Sequence, residues 1–244
     1  MRSFLADYQL TAPKTLDEAL SQLEREPGVW QPFAGGTDLM VVFEAGKLRH
    51  KKFMSIWNLK ECHGIDVTDD YVRIRSLTTY SEIQNNAILR SEFSLLCEAS
   101  SLVGAAAIQN RGTLGGNIAN ASPAADTPPT LLVYDAQIEL ISAKGTRIIP
   151  YDQFHVGYKK TLLESNELIL SVLLPRRKPN IEFFRKVGTR KAQAISKVCI
   201  AATATRDGTQ FSDVKIAFGS VAPTPLRARA TEKLLLGQVY DLAK

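Results

Sequence analysis

The chain has few cysteines and histidines for its 244 residues. The cysteines stand singly and no CxxC pair occurs, which argues against a disulfide scaffold, a zinc site or a cysteine-ligated iron–sulfur cluster. The histidines are far apart in sequence, so neither a histidine metal site nor a histidine-based triad is supported. These residues are Cys62, Cys97, Cys199, His50, His63 and His155. Reduced thiols favour a cytoplasmic protein, and we expect no bound metal ion.

Long apolar runs and a strong excess of one charge are also missing. No stretch approaches the roughly 18 apolar residues of a membrane span, and charges within residues 1–7 argue against a secretory signal. The net charge is +5 with interspersed signs, which does not favour nucleic-acid binding. Two short basic clusters, 47–52 and 176–178, are interpreted as solvated loops, although the second could contact a partner subunit.

The common motifs of nucleotide and hydrolase sites are absent as well. The sequence contains no GxGxxG, no GxxxxGK[ST], no nucleophile elbow and no HExxH. No pair of carboxylates stands at a suggestive spacing. We therefore assign no catalytic residue to this chain, and a bound cofactor would have to supply any chemistry.

The hydrophobic content of 45% allows a sizeable core, and short strands alternate with helices along the chain. We predict an α+β fold dominated by antiparallel hairpins, with a domain boundary at 175–179. The predicted strands are 30–34, 52–56, 65–67, 71–75, 137–141, 147–150, 168–174, 181–187, 198–206 and 211–219. The predicted helices are one from Leu16 after a capping box at Thr15 and Glu18, then 38–43, 79–86, 93–103, 130–134 and 224–236.

Two glycine-bearing segments carry the functional signal. The first, 33–39, contains Gly-Gly-Thr-Asp and lies between a predicted strand and a predicted helix. Glycine has no Cβ, so its backbone can approach a ligand closely. Consecutive N–H groups in such a turn form a site for phosphate oxygens. Taken alone, however, this segment could also be an ordinary turn.

The second glycine segment, 111–126, is longer and more specific. Its glycines allow close approach, the Thr113 hydroxyl can donate to phosphate, and the Asn117 amide can donate and accept. Asp126 suits a ribose hydroxyl, although it could instead cap the following helix. The prolines break regular structure, so we predict an ordered binding loop. Two such segments could hold a pyrophosphate from both sides, which indicates a dinucleotide.

At these segments the chain resembles the FAD-binding, or medium, subunits of molybdenum hydroxylases such as xanthine dehydrogenases and aerobic carbon monoxide dehydrogenases. Residues 34–39 are similar to the family's first FAD motif, and residues 108–126 are similar to its second. The stretch 157–161, followed by 167–169, resembles the family's GYRKT…EI sequence. From Val198 onward the chain resembles the small C-terminal domain, so the resemblance covers nearly the whole sequence.

The resemblance implies a PCMH-type FAD-binding domain at 1–176, with subdomains at about 1–57 and 58–176. A small α+β domain with a three-stranded antiparallel sheet and helices would follow at 180–244. Family members usually continue with more helix, so either a short member or a truncated chain is expected. The cofactor would be FAD, and this chain would bind no molybdenum.

The resemblance also implies which residues contact FAD. Residues 32–39 and 113–117 would surround the pyrophosphate and ribityl chain, and Asp126 would hold a sugar hydroxyl. Ile169 would lie against the flavin. Lys186 would approach the isoalloxazine, where a cation favours the anionic reduced form, although it could be a surface lysine. The predicted set is Pro32, Phe33, Ala34, Gly35, Gly36, Thr37, Asp38, Leu39, Val103, Gly104, Ile108, Thr113, Gly115, Gly116, Asn117, Asp126, Ile169 and Lys186.

The implied function is electron transfer inside a multi-subunit hydroxylase. A molybdopterin-binding large subunit would oxidise the substrate, a small subunit with [2Fe–2S] clusters would pass on electrons, and FAD would deliver them to NAD⁺ or another acceptor. By analogy, the assembly would be a dimer of heterotrimers. Residues 190–195 lack the acidic side chains that xanthine dehydrogenases carry near the flavin, so acceptor access or flavin potential would differ. A free-standing flavin oxidoreductase and a flavin-less scaffold subunit stay open as alternatives.

Overall fold

The computed structural model describes residues 7–190 and 193–238, which form the predicted α+β fold. The strands are β1 (Gln9–Thr11), β2 (Gln31–Phe33), β3 (Lys52–Ser55), β4 (Ile65–Val67), β5 (Tyr71–Arg75), β6 (Gln137–Ser142), β7 (Gly145–Pro150), β8 (His155–Gly157), β9 (Lys160–Thr161), β10 (Leu168–Pro175), β11 (Ile181–Gly188), β12 (Ser196–Asp207), β13 (Gln210–Gly219) and β14 (Leu226–Arg227). The helices are α1 (Leu16–Arg25), α2 (Leu39–Glu44), α3 (Tyr80–Asn85), α4 (Ala87–Glu92), α5 (Ser94–Ser101), α6 (Ala106–Gln109), α7 (Leu114–Asn120), α8 (Pro128–Val133), α9 (Tyr151–Phe154) and α10 (Arg229–Leu235), with a 3₁₀ turn at Lys60–Cys62.

The first sheet consists of three parallel strands in the order β1-β3-β2. The apolar stripe of α1 packs beside Met54 of β3, because its apolar residues recur at helical spacing. Thr15 caps the helix by accepting a hydrogen bond from the Glu18 N–H at 3.2 Å. The Glu18 carboxylate accepts from the Lys14 N–H rather than from that of Thr15, so the predicted capping box is only half formed.

The second sheet has five antiparallel strands in the order β4-β5-β10-β6-β7. Its central strand β10 is buried from Leu168 to Leu174, because its side chains serve two cores. Leu168 and Leu170 pack in the core of the first sheet and α1, whereas Val172 and Leu174 pack in the main core. Strand β10 therefore joins the two halves of the larger domain.

The third sheet is antiparallel, in the order β11-β12-β13-β14. The three long strands are those predicted, and the two-residue strand β14 is a fourth that the prediction of a three-stranded sheet lacks. Helix α10 begins at Arg229 rather than at residue 224, because Leu226 pairs with Phe218 in the sheet. The predicted domain boundary at 175–179 follows the end of β10 and stays a prediction.

Helix α8 connects the third sheet to the larger domain. All six of its residues are buried, and it packs against β12, β13 and β14. Polar contacts surround this interface: Glu182 of β11 accepts hydrogen bonds from Ser94 at 2.6 Å and from Tyr134 at 2.7 Å. Arg227 of β14 donates to the Leu132 carbonyl at 3.1 Å. The third sheet is thus fixed to the larger domain by both apolar and charged groups.

One basic cluster differs from its interpretation as a solvated loop. Arg176 forms a bidentate ion pair with Glu92, at 2.7 and 2.8 Å, and also donates to the Thr68 carbonyl.

Within residues 7–190 and 193–238, no helix is long and apolar enough to cross a bilayer. The same residues contain no group of three or more His, Cys, Asp or Glu side chains placed to hold a metal ion. The cytoplasmic location stays a prediction.

Candidate cofactor site

A cleft lies where the two glycine segments meet. It consists of two adjoining cavities of about 400 and 350 Å³, which is the size range of pockets for sizeable ligands. Both are lined by residues 31–34 and by Gly116 of α7. The first cavity continues toward 163–169 at the start of β10, and the second continues along 35–39 toward Ile108. The glycine segments therefore form the middle of one elongated site.

The first glycine segment supplies unpaired backbone donors. Residues 35–39 follow β2, lead into α2 and line the second cavity. Their N–H groups donate to no other group in the part of the chain that the structure describes. Gly36 has a φ of +73°, a conformation that glycine adopts without strain, so the backbone can turn here. The segment thus offers the row of N–H groups that the sequence predicts for phosphate oxygens.

The second glycine segment is partly helical, whereas the sequence predicts an ordered loop. Its residues 114–120 form helix α7, and Thr113 is the N-cap. The N–H groups of 114–117 all donate within the protein, to the carbonyls of Ser76, Thr78 and Thr113 and to the Thr113 hydroxyl oxygen. The N–H groups of residues 114–117 are therefore not available to phosphate oxygens, unlike those of the first segment. The residues that it presents to the second cavity are Gly112, Thr113, Gly116, Asn117, Ala119 and Asn120.

Glycine in these segments serves two purposes. A Cβ on Gly35 would lie 1.7 Å from the Arg111 carbonyl oxygen, so the two segments touch backbone to backbone. A Cβ on Gly115 would lie 2.6 Å from the Cβ of Ser76. At these two positions the absence of a Cβ permits close packing between chain segments. Gly116 lines both cavities, and its missing side chain keeps their junction open.

The Arg111 side chain makes a second contact between the two halves of the site. Its guanidinium lies 3.8 Å from the centroid of the Trp57 ring, which is a cation–π contact. His63 packs edge-on against the same ring, with centroids 5.9 Å apart. Because Trp57 follows β3 of the first sheet, this stack ties the second glycine segment to that sheet.

Most of the predicted FAD residues line the cleft, and their contact with FAD stays a prediction. Those in the cleft are Pro32, Phe33, Ala34, Gly35, Gly36, Thr37, Asp38, Leu39, Val103, Ile108, Thr113, Gly115, Gly116, Asn117 and Ile169. Gly104, Asp126 and Lys186 line neither cavity. The stretch 157–161 lies in the β8–β9 hairpin, and it lines neither of the two cavities.

Asp126 and Lys186 form a buried ion pair with each other. The Lys186 Nζ lies 2.7 Å from Asp126 Oδ2 and donates to the Leu102 carbonyl at 3.0 Å. The Ser196 hydroxyl donates to Asp126 Oδ1 at 2.6 Å. Burial raises the pKa of Asp126, and the hydrogen bonds from Lys186 and Ser196 oppose that rise. Holding a sugar hydroxyl or approaching an isoalloxazine would require these groups to share or exchange their partners.

The tail of the second motif packs against the third sheet. The Ser220 N–H donates to the Pro123 carbonyl at 2.8 Å, and the Cys199 thiol lies 3.9 Å from the Asp126 carbonyl oxygen. A Cβ on Gly219 would lie 3.4 Å from the Ala125 carbonyl oxygen. Residues 122–126 therefore contact the third sheet and connect it to the larger domain.

Sequence reasoning missed several residues of the cleft. Trp30, His50 and Ser76 line the first cavity, and Tyr80 lines the second. Trp30 begins the predicted strand that leads into the first glycine segment, so its place in the sequence could have indicated that it lies near the site. The others come from elements distant in sequence, and only the pairing of the strands and helices brings them to the site.

Comparison with known proteins identifies the family. Residues 6–177 match the FAD binding domain in molybdopterin dehydrogenase, and residues 183–243 match the CO dehydrogenase flavoprotein C-terminal domain. The chain belongs to this family. It is an FAD-binding medium subunit of the molybdenum hydroxylase type, and thus an oxidoreductase component whose cofactor is FAD.

Individual relatives of this medium subunit differ in the enzyme they belong to. The chain is 34% identical over 231 residues to the xanthine dehydrogenase FAD-binding subunit of Escherichia coli O157:H7, which covers 93% of this chain and 78% of the relative. It is 30% identical over 240 residues to the glyceraldehyde dehydrogenase medium chain of Sulfolobus acidocaldarius, covering 98% and 85%. A solved structure of carbon monoxide dehydrogenase from Hydrogenophaga pseudoflava, lacking the Mo-pyranopterin moiety, matches with a TM-score of 0.92 at 29% identity, covering 97% and 82%.

The cleft of this medium subunit fits FAD chemically. A pyrophosphate has acceptor oxygens, and residues 35–39 offer N–H donors that bind no acceptor within residues 7–190 and 193–238. Gly116 leaves space at the junction of the cavities. Val103, Ile108 and Ile169 supply the apolar lining that aromatic rings require. The donors and the apolar surface thus match the two kinds of group in the cofactor.

Proposed function

We propose that this medium subunit transfers electrons within a multi-subunit molybdenum hydroxylase. It would receive them from the [2Fe–2S] clusters of a small subunit and pass them to NAD⁺ or another acceptor, while a molybdopterin-binding large subunit oxidises the substrate. The observation that supports this proposal most directly is the elongated cleft that contains both glycine segments. Such a cleft suits a dinucleotide cofactor.

FAD, when bound, accepts electrons singly and releases them as a pair. The residues of the chain bind and shield it. The N–H groups of 35–39 would bind the pyrophosphate, and the Thr113 hydroxyl would donate to a neighbouring oxygen. Val103 and Ile108 would exclude water from a ring system. Because Asp126 neutralises Lys186, this pair would attract an anionic flavin less than an isolated ammonium would.

The proposed assembly is a dimer of heterotrimers. Two relatives are named as a FAD-binding subunit and as a medium chain, so each of them is one part of a larger enzyme. Their names give xanthine and glyceraldehyde as substrates of those enzymes, and we propose that the substrate here is likewise chosen by a partner subunit.

The proposal is tested on the complex purified from its own cells by a tag on this chain. We expect two further subunits, together with FAD, iron and molybdenum in fixed ratios. Bleaching of the flavin absorbance by NADH without oxygen would support NAD⁺ as the acceptor. A chain that carries FAD, purifies alone and is reduced by a small organic substrate would favour the free-standing oxidoreductase. A colourless chain that takes up no added FAD would overturn the proposal and favour the scaffold.

Gly116→Val is expected to weaken FAD binding at least 100-fold, because a β-branched side chain would fill the junction of the cavities. Its Cβ would also lie 2.8 Å from the Thr113 hydroxyl oxygen, and steric exclusion of this kind exceeds the loss of one hydrogen bond, about tenfold. Fluorescence titration of the apoprotein with FAD measures the effect. Gly116→Ala, which adds only the Cβ, should be intermediate. Full FAD occupancy in the valine variant would contradict the placement of the cofactor.

A further inference from the structure

Ser76 has a buried hydroxyl that forms no hydrogen bond with the residues that the structure describes. The residue follows β5, is only 3% exposed and lines the first cavity. Its Oγ has no hydrogen-bond partner among the described residues. Burying a hydroxyl without a partner is unfavourable, so such a group in a pocket calls for a specific explanation.

The backbone of Ser76 holds this hydroxyl in place. Its N–H donates to the Leu170 carbonyl at 3.0 Å, and its carbonyl accepts from the Gly115 N–H at 2.9 Å. Its Cβ is packed so closely against Gly115 that any side chain at position 115 would clash with it. Ser76 is therefore fixed directly beside the second glycine segment, at the edge of the proposed FAD cleft.

The Cys62 thiol is a polar neighbour of Ser76. Burial raises the pKa of the Cys62 thiol to about 11, and the Ser76 hydroxyl opposes that rise. The two groups nevertheless lack the geometry of a hydrogen bond, and a thiol is a poor acceptor. Cys62 is thus no substitute for an oxygen or nitrogen acceptor.

We propose that the Ser76 hydroxyl donates a hydrogen bond to an oxygen or nitrogen of FAD in the first cavity, an inference that rests on the proposed function. The cofactor carries acceptor atoms along its whole length, so it can satisfy a donor at this fixed position. Ser76 is then a cofactor-binding residue that lies outside both glycine segments.

Ser100 provides a matched control. It is also a serine, it is fully buried in α5, and its Oγ likewise has no partner among the described groups. Unlike Ser76, it lines neither cavity. Replacing either serine by alanine removes an unsatisfied buried hydroxyl and leaves a tolerated side chain, so both variants should fold.

The experiment compares Ser76→Ala and Ser100→Ala in the full chain. FAD affinity is measured by fluorescence titration of the apoprotein, and the thermal unfolding temperature is measured without FAD. We expect Ser76→Ala to raise the Kd for FAD by about five- to tenfold, the value of one net hydrogen bond. The same variant should unfold at an unchanged or higher temperature without FAD. Ser100→Ala should leave the Kd within about twofold of the wild type.

The Kd and the unfolding temperature together distinguish a role of the Ser76 hydroxyl in cofactor binding from a role in the fold. A Kd unchanged in Ser76→Ala, or raised equally in both variants, would overturn the inference. So would a lower unfolding temperature of the Ser76→Ala apoprotein, since that would show that the hydroxyl supports the fold. Failure of the wild-type chain to bind FAD would instead remove the proposed function itself, so the two failures are distinguishable.

Discussion

Gly35→Ala is expected to lower the free energy of unfolding by about 3 kcal/mol, which would reduce the unfolding temperature by roughly 6 to 12 °C. The new Cβ would lie 1.7 Å from the Arg111 carbonyl oxygen and 2.6 Å from its carbonyl carbon. Both are backbone atoms, so the two glycine segments must separate. Because the cleft is built where they meet, FAD binding should be lost with the stability. Thermal unfolding of the apoprotein and FAD titration measure the two effects.

Gly36→Ala is the control within the same turn. Its Cβ would have no neighbour closer than 3.9 Å, so it creates no clash, and only the φ of +73° opposes it. The expected cost is about 1 kcal/mol. Equal losses of stability in the two variants would show that contact between the segments is not what requires glycine at position 35.

Lys186→Met is expected to lower the free energy of unfolding by about 3 to 5 kcal/mol, because it leaves a buried carboxylate without its cation. The side chains of Lys186 and Asp126 are only 10% and 8% exposed, so water cannot replace the missing ammonium. The Leu102 carbonyl loses a donor as well. Denaturant unfolding at pH 7 measures this loss.

The loss should diminish as the pH falls. Burial already raises the pKa of Asp126, and removal of Lys186 raises it further. The folded variant therefore binds a proton at a higher pH than the unfolded chain does, so acidification stabilises the folded form. The double variant Asp126→Asn with Lys186→Met removes the charge and keeps an acceptor for Ser196, and it should regain most of the stability at pH 7. A double variant no more stable than Lys186→Met would contradict the charge argument.

The sequence predicted the architecture where a pattern was local. The strands of the second sheet and the long strands β11 to β13 lie close to the predicted positions, because apolar runs between turn residues specify them. Helix α4 was missed, since Asn86 both ends α3 and caps α4, and the short interruption has no composition signal. The fourth strand β14 has two residues, too few for any periodicity.

The site was predictable to the extent that glycines mark it. Residues 34–39, Thr113 and residues 115–117 line the cleft, whereas Leu114 is buried in the core, and the reasons for individual glycines differ from the prediction. Gly35 and Gly115 accommodate Arg111 and Ser76, partners that no sequence spacing could reveal. Similarly, the pairing of Asp126 with Lys186 depends on how the third sheet docks. Tertiary contacts, rather than local chemistry, decided each of these cases.

Helix α8 is synthesised before the strands that cover part of its surface. Part of its cover comes from β12, β13 and β14, which leave the ribosome long after the helix itself. Until the chain beyond Gly219 has emerged, Leu131, Leu132 and Val133 lack the third sheet as a partner. Nascent chains halted near residue 177 would therefore expose the apolar surface of this helix that the third sheet covers, and exposed apolar surface makes incomplete chains prone to aggregation. The last strands of the chain thus complete the cover of a helix from its middle.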